Sequence, residues 1–198
     1  MNLTLLKPLT FLKDVKVGSV KVNIVSKSGW TGELGAEFIG DIESLSKVWD
    51  LLVSEGAKPC GLGSRDSLRM EMGYCLYGYE IDEDINSIEA GYKVYSFKKL
   101  EYIRREDVWR SYIRGVSRVK MGLILKERDL YLGAELNYVP GGNEVGYVTS
   151  GSYSPILRVA IAQAYVSVSH ALPGLDLEVK VRGKRYRCSL MDFPFVHK

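Results

Sequence analysis

The chain has 198 residues, 46% hydrophobic and 26% charged, an ordinary globular composition that excludes a disordered polymer. Its 27 basic and 24 acidic side chains are interleaved and leave a formal charge of +3, which predicts solubility rather than a nucleic-acid surface. No apolar run approaches the roughly 20 residues needed to span a bilayer, and the opening MNLTLLKPLTFLKD is too short and too soon charged for a secretory signal, so no membrane partner and a cytoplasmic location are expected.

The first regular element is expected at Val20 to Val25, where apolar residues alternate around Lys21 and Asn23 as in a half-buried strand. Gly29 to Gly40 is punctuated by glycine and ends in the apolar run Ala36 to Ile39, which reads as turn and strand. Asp41 suits the N-cap of a helix whose apolar positions Ile42, Leu45, Trp49 and Leu52 recur at helical spacing until Gly56. GLG at 61–63 lacks the third glycine of a dinucleotide loop and reads as a tight turn. A second helix is expected from about Ser64, with Asp66 in its first turn and Leu68 and Met72 on one face. The acidic run Asp82, Glu83, Asp84 has no calcium-loop spacing and reads as a solvated loop or helix start.

Beyond about residue 101 a short helix over Arg105 to Tyr112 leads into strands at Val119 to Leu125, Glu144 to Thr149, Ala160 to Val168, Leu175 to Val181 and Tyr186 toward Phe193. Short strands separated by glycine and proline predict a compact barrel or sandwich. TSGSYSP, Thr149 to Pro155, offers hydroxyls without a base and reads as a structured turn between strands. Arg182, Lys184, Arg185 and Arg187 around Gly183 read as a solvated hairpin turn. Cys60, Cys75 and Cys188 are odd in number and widely spaced, which predicts reduced, mostly buried thiols. With only His170 and His197 to assist, no metal site or Ser-His-Asp or Cys-His catalysis is expected.

Several segments, in order, resemble the C-terminal half of the glycine cleavage system T-protein family, the aminomethyltransferases. SKSGWTGELGAEFIG (26–40) is similar to the family's RTGYTGEDGFEI. AKPCGLGSRDSLRMEMGYCLYGYEIDEDINSIEAG (57–91) is similar to GLGARDxLRxExGxxLYGxDIDExxxPxExG. EVGYVTSGSYSPIL (144–157) resembles GxVTSGxxSPxL, and AIAQAYV, VKVRGK and FPFV follow as in the family. Trp30 stands for the usual tyrosine, Lys27 for arginine and Ser87 for proline.

The resemblance implies an α+β fold: residues 1–100 as the C-terminal part of a folate-binding α+β domain, and 101–198 as a C-terminal β-barrel domain. It implies tetrahydrofolate as cofactor and a lipoyl-bearing carrier, the H-protein, as partner. By motif position Glu37 and Arg65 match the family's folate contacts, and Trp30 and Tyr74 match aromatic positions of that site. The chemistry agrees, since a carboxylate accepts the paired N–H groups of a pterin and a guanidinium donates to its carbonyl. On residue physics alone Glu37 also reads as a surface carboxylate, Arg65 as a structural partner of Asp66 or Glu71, and the two aromatics as core. The family's catalytic aspartate lies upstream of the matched stretch, so the catalytic residue is unknown and none is carried over; Glu33 and Asp82 are the next candidates. An N-terminal half, or a homo-oligomer, is the expected associate. Alternatives are a folate-binding module without catalysis and a related folate-dependent demethylase.

Overall fold

The alternating segment after Val20 is indeed a strand in the computed structural model, which describes residues 6–92, 96–98, 101–126, 135–138, 143–181 and 183–197. It is β2 (Val20–Ser26), the middle of a three-stranded antiparallel sheet between β1 (Phe11–Val17) and β3 (Glu37–Ile39). The sequence reading did not anticipate β1, whose apolar residues do not alternate cleanly. Its turn to β2 uses Gly18 at φ +59°, where a Cβ would also lie 2.9 Å from the Leu51 side chain.

Asp41 caps helix α1 (Ile42–Ser54) as expected, its carboxylate accepting the Ser44 N–H at 2.8 Å. The buried face is the expected one only in part, at Leu45. Val48 joins Val22 and Val25 in a small core with Leu45 and Phe38 around it, whereas Ile42 is 88% exposed and Trp49 54% exposed. The apolar arc of α1 is wider than the part the small sheet covers.

Helix α2 (Leu62–Met72) starts two residues before the expected Ser64, so Asp66 falls outside the first turn. Its buried residues are Arg69, Met70 and Glu71, while Leu68 and Met72 are half-buried. Within α2 lies the boundary between two compact units, Met1–Leu68 and Arg69–Lys198.

The second unit holds α3 (Arg105–Arg114) and strands β4 (Arg118–Leu125), β5 (Glu135–Tyr138), β6 (Glu144–Ser154), β7 (Val159–Ser167), β8 (Asp176–Val181) and β9 (Lys184–Met191). The six strands close into an antiparallel barrel in the order β4-β7-β6-β5-β8-β9, with β9 returning to β4. The core is filled by Leu123, Leu125, Val148, Val179, Leu190 and their neighbours. Gly146 lets β6 approach β7, because a Cβ there would lie 2.0 Å from the Tyr165 carbonyl oxygen. Gly183, at φ +80°, does sit in the β8–β9 turn; Arg182 of the basic stretch lies outside the described residues.

One expectation is overturned outright. TSGSYS is no turn but the second half of β6, and the turn follows it at 155–158. Its hydroxyls hold the strand because they are spent on buried carboxylates: Thr149 donates to Glu80 at 2.7 Å, Ser150 also donates to Glu80, and Ser154 donates to Glu71 at 2.5 Å.

Candidate functional site

In the first unit, Glu37 opens β3 opposite Ser26, and its carboxylate is exposed. The Ser28 hydroxyl donates to Glu37 Oε2 at 2.5 Å and is itself 2.8 Å from the Ser26 hydroxyl, so a short chain of hydroxyls orients the carboxylate. Arg65 is the fourth residue of α2, in the first turn, where Gly61 O accepts the N–H groups of Ser64 and of Arg65 itself. Its guanidinium carbon is 4.2 Å from the centroid of the half-buried Trp30 ring. Two of the four candidate positions thus meet within one unit. A guanidinium this close to an indole face is attracted by the ring quadrupole. Motif position alone did not reveal this pairing.

Tyr74 belongs to the second unit and follows α2 directly. Its ring is half-buried, and its backbone is fixed by three hydrogen bonds: its N–H donates to Arg69 O at 2.9 Å, and its carbonyl accepts from Arg69 at 3.3 Å and from Gln163 Nε2 at 3.0 Å. Beside it opens a cleft of about 370 Å³ bordered by Tyr74, Tyr92, Lys120 and Phe193. The Lys120 ammonium donates to Gly73 O at 2.6 Å, to Cys75 Sγ at 3.1 Å and to Gln163 Oε1 at 3.2 Å, and lies 4.6 Å from the Phe193 ring centroid.

Behind this segment Arg69 and Glu80 form a buried ion pair at 3.0 Å. Arg69 also donates to Ser150, and Glu80 accepts the Leu76 N–H at 2.9 Å. A buried charge needs such a complete set of partners. Sequence reasoning missed Glu80, Lys120 and Gln163. The available signal was a polar residue interrupting an apolar strand, as in VKMGLIL and AIAQAYV.

Of the cysteines, Cys75 and Cys188 are buried as expected but Cys60 is exposed, and all are free. Burial pushes the Cys188 thiol up to about 12 and raises that of Cys75, where nearby Lys120 opposes the shift. Among the described residues no group of three or more metal-ligating side chains converges. Asp82 is occupied locally, accepting the N–H groups of Asp84 and Ile85 at 2.8 and 3.0 Å, which gives the acidic run a structural explanation as a loop. No helix among the described residues is long and apolar enough to cross a membrane.

Residues 7–99 match a family model described as the GCVT N-terminal domain, and residues 118–197 match one described as the glycine cleavage T-protein C-terminal barrel domain. A probable aminomethyltransferase of Aeropyrum pernix is 35% identical over 96% of this chain and 53% of its own length. An aminomethyltransferase of Symbiobacterium thermophilum is 36% identical over 98% of this chain and 53% of its own. The crystal structure of the glycine cleavage system aminomethyltransferase T from Bartonella henselae superposes with a TM-score of 0.77 at 32% identity, covering 87% of this chain and 49% of that one. The chain therefore spans about half the length of the relatives it matches.

Proposed function

Because this chain belongs to the glycine cleavage T-protein family, we propose that it supplies part of the tetrahydrofolate site of an aminomethyltransferase, in the cytoplasm, with a second half providing the rest. In this reading Glu37 accepts the paired N–H groups of the pterin, Arg65 donates to its carbonyl, and Trp30 and Tyr74 offer flat surfaces to its rings. Residues 1–100 are then the end of a folate-binding domain and 101–198 its barrel domain.

The observation that carries the reading is Arg65 lying on Trp30, together with the exposed Glu37 carboxylate in the same unit. A carboxylate and a guanidinium that are both solvent-facing and each steadied by a neighbour offer the acceptor and the donor that a pterin's N–H groups and carbonyl would use. When bound, tetrahydrofolate supplies the nitrogens that take up a one-carbon group arriving as an aminomethyl thioether on the lipoyl arm of an H-protein, with release of ammonia. The work of this chain's own residues is to bind and orient.

Calorimetry with tetrahydrofolate tests the reading. Glu37→Ala and Arg65→Ala should each weaken binding by about 1.5 to 3 kcal/mol, the worth of a hydrogen bond to a charged group, with little effect on folding. Unchanged affinity in a well-folded variant would refute the site. Methylene transfer by the chain alone should be slow, since the electrostatic group aimed at developing charge comes from the other half, and loss of one such group costs on the order of a hundredfold to a thousandfold.

A further inference from the structure

The two polar groups of the candidate site stand on different elements, Glu37 on β3 and Arg65 in the first turn of α2, yet one short segment of chain touches both. Ser28 and Trp30 belong to the 27–36 connection between β2 and β3. The Ser28 hydroxyl donates to Glu37 Oε2 at 2.5 Å, and the Trp30 ring centroid is 4.2 Å from the guanidinium carbon of Arg65. The sheet register accounts for the first contact. Ser26 is opposite Glu37, so their side chains leave the sheet on one face, and the Ser28 hydroxyl comes to 2.8 Å from that of Ser26. Because Ser28 spends its single hydrogen on the carboxylate, Ser26 must be the donor to Ser28, and the chain runs in one direction onto Glu37. Glutamate and arginine are long side chains with many rotamers, and both are exposed here. Ordering such groups when a ligand arrives costs affinity, and contacts made beforehand remove part of that cost.

We infer that Ser28 and Trp30 are positioning residues of the ligand site: Ser28 holds the Glu37 carboxylate as an acceptor, Trp30 holds the Arg65 guanidinium as a donor, and the segment 28–30 thereby sets the spacing between them. The inference rests on the reading of Glu37 and Arg65 as the groups that meet the pterin's N–H donors and its carbonyl. It gives Trp30 a task beyond offering a surface, since the ring face that the guanidinium covers is closed to a ligand. It also states what the segment selects. A ligand that presents N–H donors without the carbonyl, or the carbonyl without the donors, uses only one of the two prepared groups.

Double-variant cycles on tetrahydrofolate binding, read by calorimetry, separate a residue that acts through another from one that touches the ligand itself. Ser28→Ala and Trp30→Leu should each weaken binding about twofold to tenfold, the range for ordering one long side chain. Ser28→Thr and Trp30→Tyr, which keep the hydroxyl and a ring face, should restore it. Ser28→Ala should add nothing in a Glu37→Ala background, and Trp30→Leu should add nothing in an Arg65→Ala background. Ser54→Ala, which removes an exposed hydroxyl bonded to its own helix at Leu51 O, should leave binding unchanged; circular dichroism checks the fold. Nuclear magnetic resonance of the ligand-free chain gives a second readout. The Arg65 Nε–H should lie upfield of an ordinary arginine, shielded by the indole face, and Trp30→Leu should return it while Trp30→Tyr should not. Ser28→Ala should shift the Glu37 carboxylate carbon, and Ser28→Thr should keep it near the wild-type position. Losses that persist in the Glu37→Ala and Arg65→Ala backgrounds, full affinity in Ser28→Ala and Trp30→Leu, or resonances that stay where they are would each overturn the inference. Absent tetrahydrofolate binding, or binding indifferent to Glu37→Ala and Arg65→Ala, counts against the folate reading alone, and the resonances then decide whether the two groups are held.

Discussion

The two units of the chain differ in the size of the core they close. The barrel has no free edge and a core that runs through all of its long strands, whereas the sheet unit's buried core is Val22, Val25 and Val48; both leave large apolar side chains in water, Ile42 and Trp49 in the one and Ile113 and Leu172 in the other. Closure makes the barrel a self-sufficient body. Three of the four proposed ligand residues, Trp30, Glu37 and Arg65, stand on the unit with the smaller core, so on the proposed reading recognition would fall mainly to that unit.

The largest effect should come from the buried network on the barrel side. Arg69→Met strands the Glu80 carboxylate among uncharged partners, and removing one member of a buried pair costs about 3 to 5 kcal/mol. Urea unfolding would show this as a lowered midpoint; an unchanged midpoint would mean that the barrel unit does not depend on the pair.

A matched pair of truncations comes next. Leu190→Ala, in the barrel core, should cost about 2 to 5 kcal/mol, because the closed wall cannot collapse onto the cavity. Val48→Ala removes two methyl groups from a small core and should cost about 1.6 kcal/mol at roughly 0.8 kcal/mol per buried carbon. Equal losses would erase the contrast between the units.

The smallest effect concerns Asp41, whose carboxyl is held below its ordinary range chiefly by the Ser44 backbone N–H. A depressed folded-state pKa contributes stability that is present above the ordinary carboxylate range and is lost as pH falls through the lowered value. Asp41→Asn keeps a capping oxygen without the titration. Wild type should therefore melt above this variant near pH 7, and the gap should narrow toward pH 3. A gap that widened in acid would reverse the assigned sign.

Much of this architecture is legible in the amino-acid order, because glycine and proline punctuate the barrel strands and Asp41 announces α1. What escaped depends on distant partners. TSGSYS has the composition of a turn, and only Glu71 and Glu80, far away in sequence, make its hydroxyls compatible with a buried strand. Periodicity located α1 but selected Ile42 and Trp49 for its buried face, because a hydrophobic arc does not say how much of itself will be covered. Strand β5 is four residues long and offers too short a pattern to read. Motif spacing pointed to Trp30 and Arg65 separately, and their stacking is a tertiary fact.

The anchoring of Tyr74 has a consequence for how this molecule can change over generations. Its turn is tied down through the main-chain N–H and carbonyl, by Arg69 and Gln163, and none of those bonds passes through the ring. Drift at codon 74 can exchange one side chain for another while the peptide keeps its path. The main chain here is a socket whose shape is set independently of the fitting it holds, although the half-buried ring must still suit its neighbours in the cleft.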